Sequence, residues 1–200
     1  NWNDLDDDPQ YFPVYGVVEV GEAVDYALRF DGDNDHIVVD DEIPSMTGNL
    51  SITASINMPD TDGIHFVTML GDYGWGLYVN NGEIAYSSEY SISRHPTSNL
   101  TISENVWTEI TVVIEENVGG QFLIDGEQAG EIDADDANIP QGDFGSNDCY
   151  QSGEDCDELV IGKMGAGCDC NYFQGMIDFL TITNGENTLD WQFLEGEGSN

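Results

Sequence analysis

The chain has almost no positive charge. Of its 200 residues only three are lysine or arginine, against 40 aspartates and glutamates, giving a formal net charge of −37 with Lys163 as the one lysine. With no basic patch to meet phosphates, nucleic acid is excluded as a partner, and anionic membrane surfaces are disfavoured by the same repulsion. Long apolar runs are missing too: nothing approaches the roughly 20 residues of a membrane-spanning helix, so no membrane insertion is expected. No stretch carries a convincing helical period. No Ser-His-Asp signature stands out, and the three histidines, His36, His65 and His95, are scattered in sequence.

What is present is enough material for a core. At 40% hydrophobic and 10% aromatic residues the charge is not the mark of a disordered chain, and the length fits one all-β domain. At low ionic strength such a charge opposes compaction by self-repulsion. At 1 M salt the screening length falls to about 3 Å, and the penalty goes with it. A carboxylate coat with almost no lysine therefore points to a halophilic, archaeal source. The rival is a calcium-rich marine adhesin neutralised by bound divalent ions. The sequence begins at Asn1 without Met or an apolar leader, which reads as a mature, exported, extracellular or cell-surface product after signal-peptide removal.

Cys149, Cys156, Cys168 and Cys170 crowd into 22 residues. An even number in an exported chain favours two disulfides. Cys168 and Cys170 are too close in sequence to pair comfortably, so each is expected to reach back to Cys149 or Cys156, in either pairing. A four-thiolate zinc site fits the spacing poorly.

One stretch organises the rest. In Ala27 to Val39, ALRFDGDNDHIVV, Leu28 and Phe30 alternate around Arg29 as in a half-buried strand, and His36 to Val39 reads as the returning strand. Between them Asp31, Asp33, Asn34 and Asp35 offer hard oxygen ligands, with Gly32 free to take positive φ. Further strands are expected at Val14–Val20, Asn49–Met58, Ile64–Leu70, Trp75–Val79, Glu83–Ser87, Leu100–Ile102, Val106–Glu115, Gln121–Asp125, Gln128–Ile132, Leu159–Gly162, Phe173–Thr183 and Thr188–Phe193. Asn80-Asn81-Gly82 and Asp125-Gly126 mark hairpins. Ser91 to Thr97 and Asp133 to Asp157 read as loops. Short strands punctuated by turns predict an all-β fold, a two-sheet antiparallel β-sandwich of jelly-roll type.

In that order, ALRFDGDNDHIVV, NLSITASINM, GWGLYVNNGEI, NVWTEITVVIEENVGGQFLIDGEQAG, ELVIGK and FQGMIDFLTI resemble the laminin-G-like jelly roll of the concanavalin A-like lectin and glucanase superfamily. The resemblance covers roughly Tyr26 to Thr183. It implies a structural calcium ion near the FDG turn and the Asp of the closing strand, held by Asp31 or Asp33 with Asp178, and Asp35 as the other nearby donor. The bland alternative is that these aspartates cap turns. The domain is expected to run over 25–194, after an N-terminal extension, 1–24, able to add a strand, and before a tail, 195–200. Trp2, Tyr11, Phe12 and Trp191 are candidate anchors for the ends, on their own domain or on a neighbouring copy.

The superfamily also contains glucanases, and Glu131-Ile132-Asp133-Ala134-Asp135 is a near match to their catalytic strand. Retaining hydrolysis needs two carboxylates about 5 Å apart, but this segment runs into a loop and ends in Asp. The chain is therefore read as no enzyme. Trp75 and Trp107 are expected in the core, whereas Tyr73, Tyr86, Tyr90 and Tyr150 are candidates for facing a sugar. Asn49 and Asn99 open N-glycosylation sequons. The function expected is a non-catalytic module that binds a glycan or a surface protein. The alternative is a subunit that assembles with copies of itself into a filament, sheath or virion appendage, with Val14–Val20 adding a strand to a neighbour's sheet edge.

Overall fold

A computed structural model describes residues 14–20, 23–39, 48–71, 74–88, 95–139, 158–165, 170–185 and 187–193. Fourteen strands follow one another among them. They are β1 (Val14–Val20), β2 (Ala23–Asp31), β3 (Ile37–Val39), β4 (Asn49–Asn57), β5 (Ile64–Leu70), β6 (Gly76–Asn80) and β7 (Glu83–Ser87). Then come β8 (Thr97–Thr101), β9 (Thr108–Glu115), β10 (Gly119–Ile124), β11 (Glu127–Ile132), β12 (Leu159–Ile161), β13 (Gln174–Thr183) and β14 (Thr188–Gln192).

The period-2 pattern decides which face each strand buries. In β4 Leu50, Ile52, Ala54 and Ile56 point into the core while their neighbours face outward. Turn chemistry sets the hairpins. Asn81 and Gly82 take φ of 50° and 83°, and Asp125 and Gly126 take 50° and 78°, the paired positive values of the turns that match strand twist.

Two antiparallel sheets result. The eight-stranded sheet runs β1-β2-β13-β4-β9-β10-β11 with β14 also on β13, and the six-stranded sheet runs β3-β12-β5-β6-β7-β8. The main core, including Phe30, Ile52, Trp75, Leu77, Val112 and Ile182, is packed between them. β13 is the hub of the larger sheet. One edge holds β4, while the other is shared: Gln174–Ile177 pair with β2, and Phe179–Thr183 pair with β14.

One detail of the strand pairing differs from the expected layout. The strand after the Asp31–Asp35 turn does not return beside β2 but crosses to the other sheet, where Ile37–Val39 pair with β12. Both edges of β2 are already taken, by β1 and by β13. The extension strand Val14–Val20 zips onto β2 of its own chain, Val14 opposite Arg29 through Val20 opposite Ala23. It forms the outer strand of the larger sheet. Trp191 on β14 is half-buried against the core as an anchor; Trp2, Tyr11, Phe12 and the tail lie outside the described residues.

Candidate functional site

Three segments meet at one end of the six-stranded sheet: the Asp31–His36 turn leaving β2, the Gly162–Met164 bend after β12, and Asn171–Phe173 leading into β13. Backbone bonds tie them together. The Gly162 N–H donates to the Val67 carbonyl at 3.0 Å, Phe66 to Asn171 at 3.2 Å, and Phe173 to Gly162 at 2.8 Å. Underneath, the rings of Phe30 and Phe173 meet edge to face, 5.8 Å apart at 87°. Gly162 has φ of +91°, and a Cβ there would stand 2.4 Å from the Phe30 ring. Only glycine lets the bend sit this close.

On this base lies Tyr172, half-buried, with its ring 6.2 Å from that of His36 and 6.0 Å below the Lys163 Nζ. Lys163 is 7% exposed. The Tyr172 carbonyl faces His65 Nδ1 at 3.0 Å, and His65 Nε2 faces the Asp62 carbonyl at 2.8 Å. Both partners are backbone acceptors. Beside His65, Phe66 stacks on Tyr78 at 4.6 Å and 18°, and the Tyr78 hydroxyl is 2.9 Å from His95 Nδ1. Burial pushes the Tyr78 hydroxyl pKa up. Phe66, Met69, Tyr78, Ala85 and Met164 form a second apolar cluster. It lies on the outer face of the sheet, since Val67, Leu77 and Val79 between these positions belong to the inner core.

Four of the chain's six Lys, Arg and His residues, Lys163, His36, His65 and His95, thus lie along this end and outer face. They are scattered in sequence and connected in space. Tyr172 and Lys163 were not among the residues that sequence reasoning selected. The available signal was compositional: a chain that otherwise excludes lysine keeps one, directly after a buried strand.

The acidic turn closes on itself. Asp31 Oδ1 accepts from the N–H groups of Asp33 at 2.8 Å and Asn34 at 3.3 Å, and Asp35 Oδ2 accepts from the Asp31 N–H at 3.0 Å. Gly32 takes φ of +84° as expected. Asp35 is 9% exposed. Burial raises its pKa, as does the Asp31 carboxylate more weakly, against the lowering effects of the Asp31 N–H and of His36. Asp178 does not join this turn. Gln174 is the residue opposite Asp31, and Asp178, four positions on, lies about 13 Å further along the strand at ~3.3 Å per residue. It occupies the bulge where the edge of β13 passes from β2 to β14, and its carbonyl accepts the Phe193 N–H at 3.1 Å. Calcium takes six to eight oxygens. Among the described residues no three His, Cys, Asp or Glu side chains converge as a metal-binding group. Asp31 Oδ2, Asp35 Oδ1 and the Asp33 carboxylate lie outside the turn's own hydrogen bonds.

Other candidates take varied places. Tyr86 does not face a ligand: it is 0% exposed, and its hydroxyl donates to the Asn138 carbonyl at 2.8 Å. It stands on the inner face of β7 because Ile84 and Tyr86 alternate with the outward Ala85. Burial, with a smaller effect of Glu116, raises its pKa. Tyr73, Tyr90, Tyr150, Cys149, Cys156 and Cys168 lie outside the described residues, and Cys170 is disulfide-bonded. Trp75 is core as expected, whereas Trp107 precedes β9 and is only half-buried. Asn49 opens β4 and Asn99 lies within β8; both are exposed. β11 ends at Ile132, so Glu131 and Asp133 do not share a strand. No helix among the described residues is long and apolar enough to cross a membrane.

No family model matches the chain, and no curated protein does. Solved structures do. The CBM40 of a Ruminococcus gnavus IT-sialidase, bound to α2,3-sialyllactose, is 14% identical with a TM-score of 0.62, over 79% of this chain and 89% of that one. Domains LG4–5 of the mouse laminin α1 chain are 13% identical with a TM-score of 0.59, over 86% of this chain and 46% of that one. The binding domain of Paraclostridial Mosquitocidal Protein 1 is 13% identical with a TM-score of 0.54, over 92% and 43%. The chain thus spans less than half of the latter two. At these identities the likeness concerns the fold, and it agrees with the two sheets described above: this is a jelly-roll β-sandwich of the kind seen in laminin LG domains and CBM40.

Proposed function

We propose that the chain is a non-catalytic, extracellular glycan-binding module whose ligand docks at the Tyr172 end of the six-stranded sheet. The observation that carries this reading is the half-buried Tyr172 ring with His36 and Lys163 about it. An aromatic face gives a sugar ring an apolar platform, and the groups at its rim supply the few placed polar contacts that fix orientation. The neighbours' printed ligand, a sialylated sugar in one case, is in keeping with it. The test is a glycan array in molar salt with the wild type and Tyr172→Ala. Binding that disappears in the variant, with the melting curve kept, supports the site. An array without any bound glycan, or binding indifferent to Tyr172→Ala, sinks it.

A second reading is assembly with copies of the chain. The observation favouring it is that β1 ends the larger sheet with no strand on its outer side among the described residues, and an open edge is a template for another strand. Size-exclusion chromatography in high salt, with and without residues 1–22, decides it. Two monomers end the assembly reading.

A further inference from the structure

We infer that Lys163 is the specificity residue of this site, selecting saccharides that carry an anionic oxyacid group, a carboxylate or a sulfate ester, over their neutral counterparts. The inference rests on the glycan-binding reading above and sharpens it.

The starting point is an electrostatic imbalance. A buried ammonium normally has a carboxylate or several acceptors to replace the water it gave up. Carboxylates are abundant here, 40 in 200 residues, yet among the described residues none is within ion-pairing distance of Lys163 and no acceptor bonds its ammonium; its one contact of a polar kind is the Tyr172 ring at 6.0 Å. A single cation–π contact at that range is weaker than the desolvation of a charge. The ammonium is not sealed in, because the one fully enclosed side-chain polar atom without a partner among the described residues is Trp75 Nε1. An ammonium on a mostly buried side chain, unpaired among the described residues and still reachable, is prepared for an anion from outside.

Its surroundings say where that anion sits. Gly162 pins the backbone next to Lys163 against the Phe30 ring, and Phe173 locks back onto the Gly162 carbonyl. Lys163 and Tyr172 therefore belong to one braced unit, and the ammonium is held on the platform side. A sugar stacked on Tyr172 would bring a ring substituent to Nζ. His36 stands beside the same ring, and His65 lies behind it, 3.0 Å from the Tyr172 carbonyl. On a chain of net charge −37, and beside the Asp31–Asp35 turn, Lys163 is the one formal positive charge at this platform, in a negative field.

That field gives the inference a distinctive sign. Ordinary ion-pair recognition weakens with salt. Here the long-range field of the body repels an anionic ligand and is screened first, with a Debye length of about 10 Å at 0.1 M and 3 Å at 1 M, whereas a contact pair at a mostly buried side chain is screened much less. Binding of the acidic sugar should strengthen as salt rises from 0.1 to 1 M.

The experiment measures affinity by calorimetry for three probes: a uronate-containing oligosaccharide, its methyl ester, and an otherwise neutral oligosaccharide bearing one sulfate ester. The proteins are the wild type and Lys163→Met, both in 1 M salt, with melting curves for each. The wild type should prefer the uronate or the sulfated probe to the ester by about tenfold or more, the value of one charge-assisted hydrogen bond. Whichever acid is preferred names the source of the anion. Lys163→Met should bring acid and neutral forms within about twofold and melt no lower than the wild type, since replacing an unpaired buried charge by an apolar chain of like volume is not destabilising. Equal wild-type affinity for acid and ester overturns the inference and leaves the glycan reading standing. Binding of no probe and no array glycan overturns both. A Lys163→Met variant that keeps the acid preference while melting several degrees lower makes the lysine structural and overturns the inference alone.

Discussion

The brace under the site can be broken with one methyl group. Gly162→Ala places a Cβ 2.4 Å and 2.6 Å from two Phe30 ring atoms, where ordinary contact begins near 3.4 Å, so about 1 Å of movement is needed. Phe30 cannot supply it cheaply, being 1% exposed and packed against Phe173. Overpacking of that kind costs about 1–3 kcal/mol. The backbone adds its own cost, because φ of +91° is a conformation that costs a non-glycine residue about 1–3 kcal/mol. The sum, about 2–6 kcal/mol, corresponds to a fall of roughly 4–24 °C at the 2–4 °C per kcal/mol typical of this chain length. Gly126→Ala is the control. Its φ is +78° and nothing stands within 4 Å of the added Cβ, so it carries the backbone cost alone. Thermal melts in one high-salt buffer give both numbers, and their difference isolates the clash. A double mutant with Phe30→Leu should recover part of that difference, read as a coupling energy. If Gly162→Ala melts with the control or above it, the close approach at the site is not as described, and the argument for a fixed Lys163 goes with it.

Four further outcomes follow from the same structure. Tyr86→Phe should cost about 1–2 kcal/mol, because it leaves the buried Asn138 carbonyl without its donor, and it should leave glycan binding unchanged. A neutral melt with lost binding would return Tyr86 to the ligand face. Asp35 has a raised pKa, so the folded state holds its proton more tightly than the unfolded state. The penalty is therefore full above the folded pKa and relieved as pH falls through it. Asp35→Asn keeps an acceptor for the Asp31 N–H without the charge, and should melt at or above the wild type at pH 7, with the gap closing in acid. A clear loss at pH 7 in the presence of chelator refutes this. Calcium at the turn, with Asp31, Asp33 and Asp35 as donors, is proposed as an addition to a turn that already closes by itself. Titrated calcium should raise the melting temperature with concentration by linkage, and no change removes the metal. A halophilic origin is likewise a proposal: melting temperature should climb steadily with sodium chloride as the −37 self-repulsion is screened, and a flat response between 0.1 and 2 M would count against it.

The sheets were legible because burial follows period 2 so closely. The alternation of Leu50 through Ile56 and the turn pairs Asn81-Gly82 and Asp125-Gly126 fix strand existence from local chemistry alone. Sheet membership was less legible. Nothing local in Ile37–Val39 reveals that both edges of β2 are already paired, and that competition sends the strand across the sandwich. Tyr86 was misplaced for a related reason, since a tyrosine on a strand reads alike on either face until register is known. The Asp31–Asp35 turn was correctly located, yet its expected partner Asp178 is held away by the register of β13. Tyr172 and Lys163 come together through a loop and two strands distant in sequence from His36 and His65, a juxtaposition that no short motif encodes.

The central position of β13 has a kinetic consequence. β2 and β4, more than a hundred residues earlier, both take it as a neighbour. The β1–β2 and β4–β9 pairs can form early, but until residues 174–183 have emerged from the ribosome the two halves of the larger sheet present open facing edges. Pairings this distant in sequence make folding slow, and waiting edges are where wrong partners attach. For this sandwich the vulnerable interval is nascent life, and the same self-repulsion that low salt turns against the finished fold would then hold neighbouring chains apart.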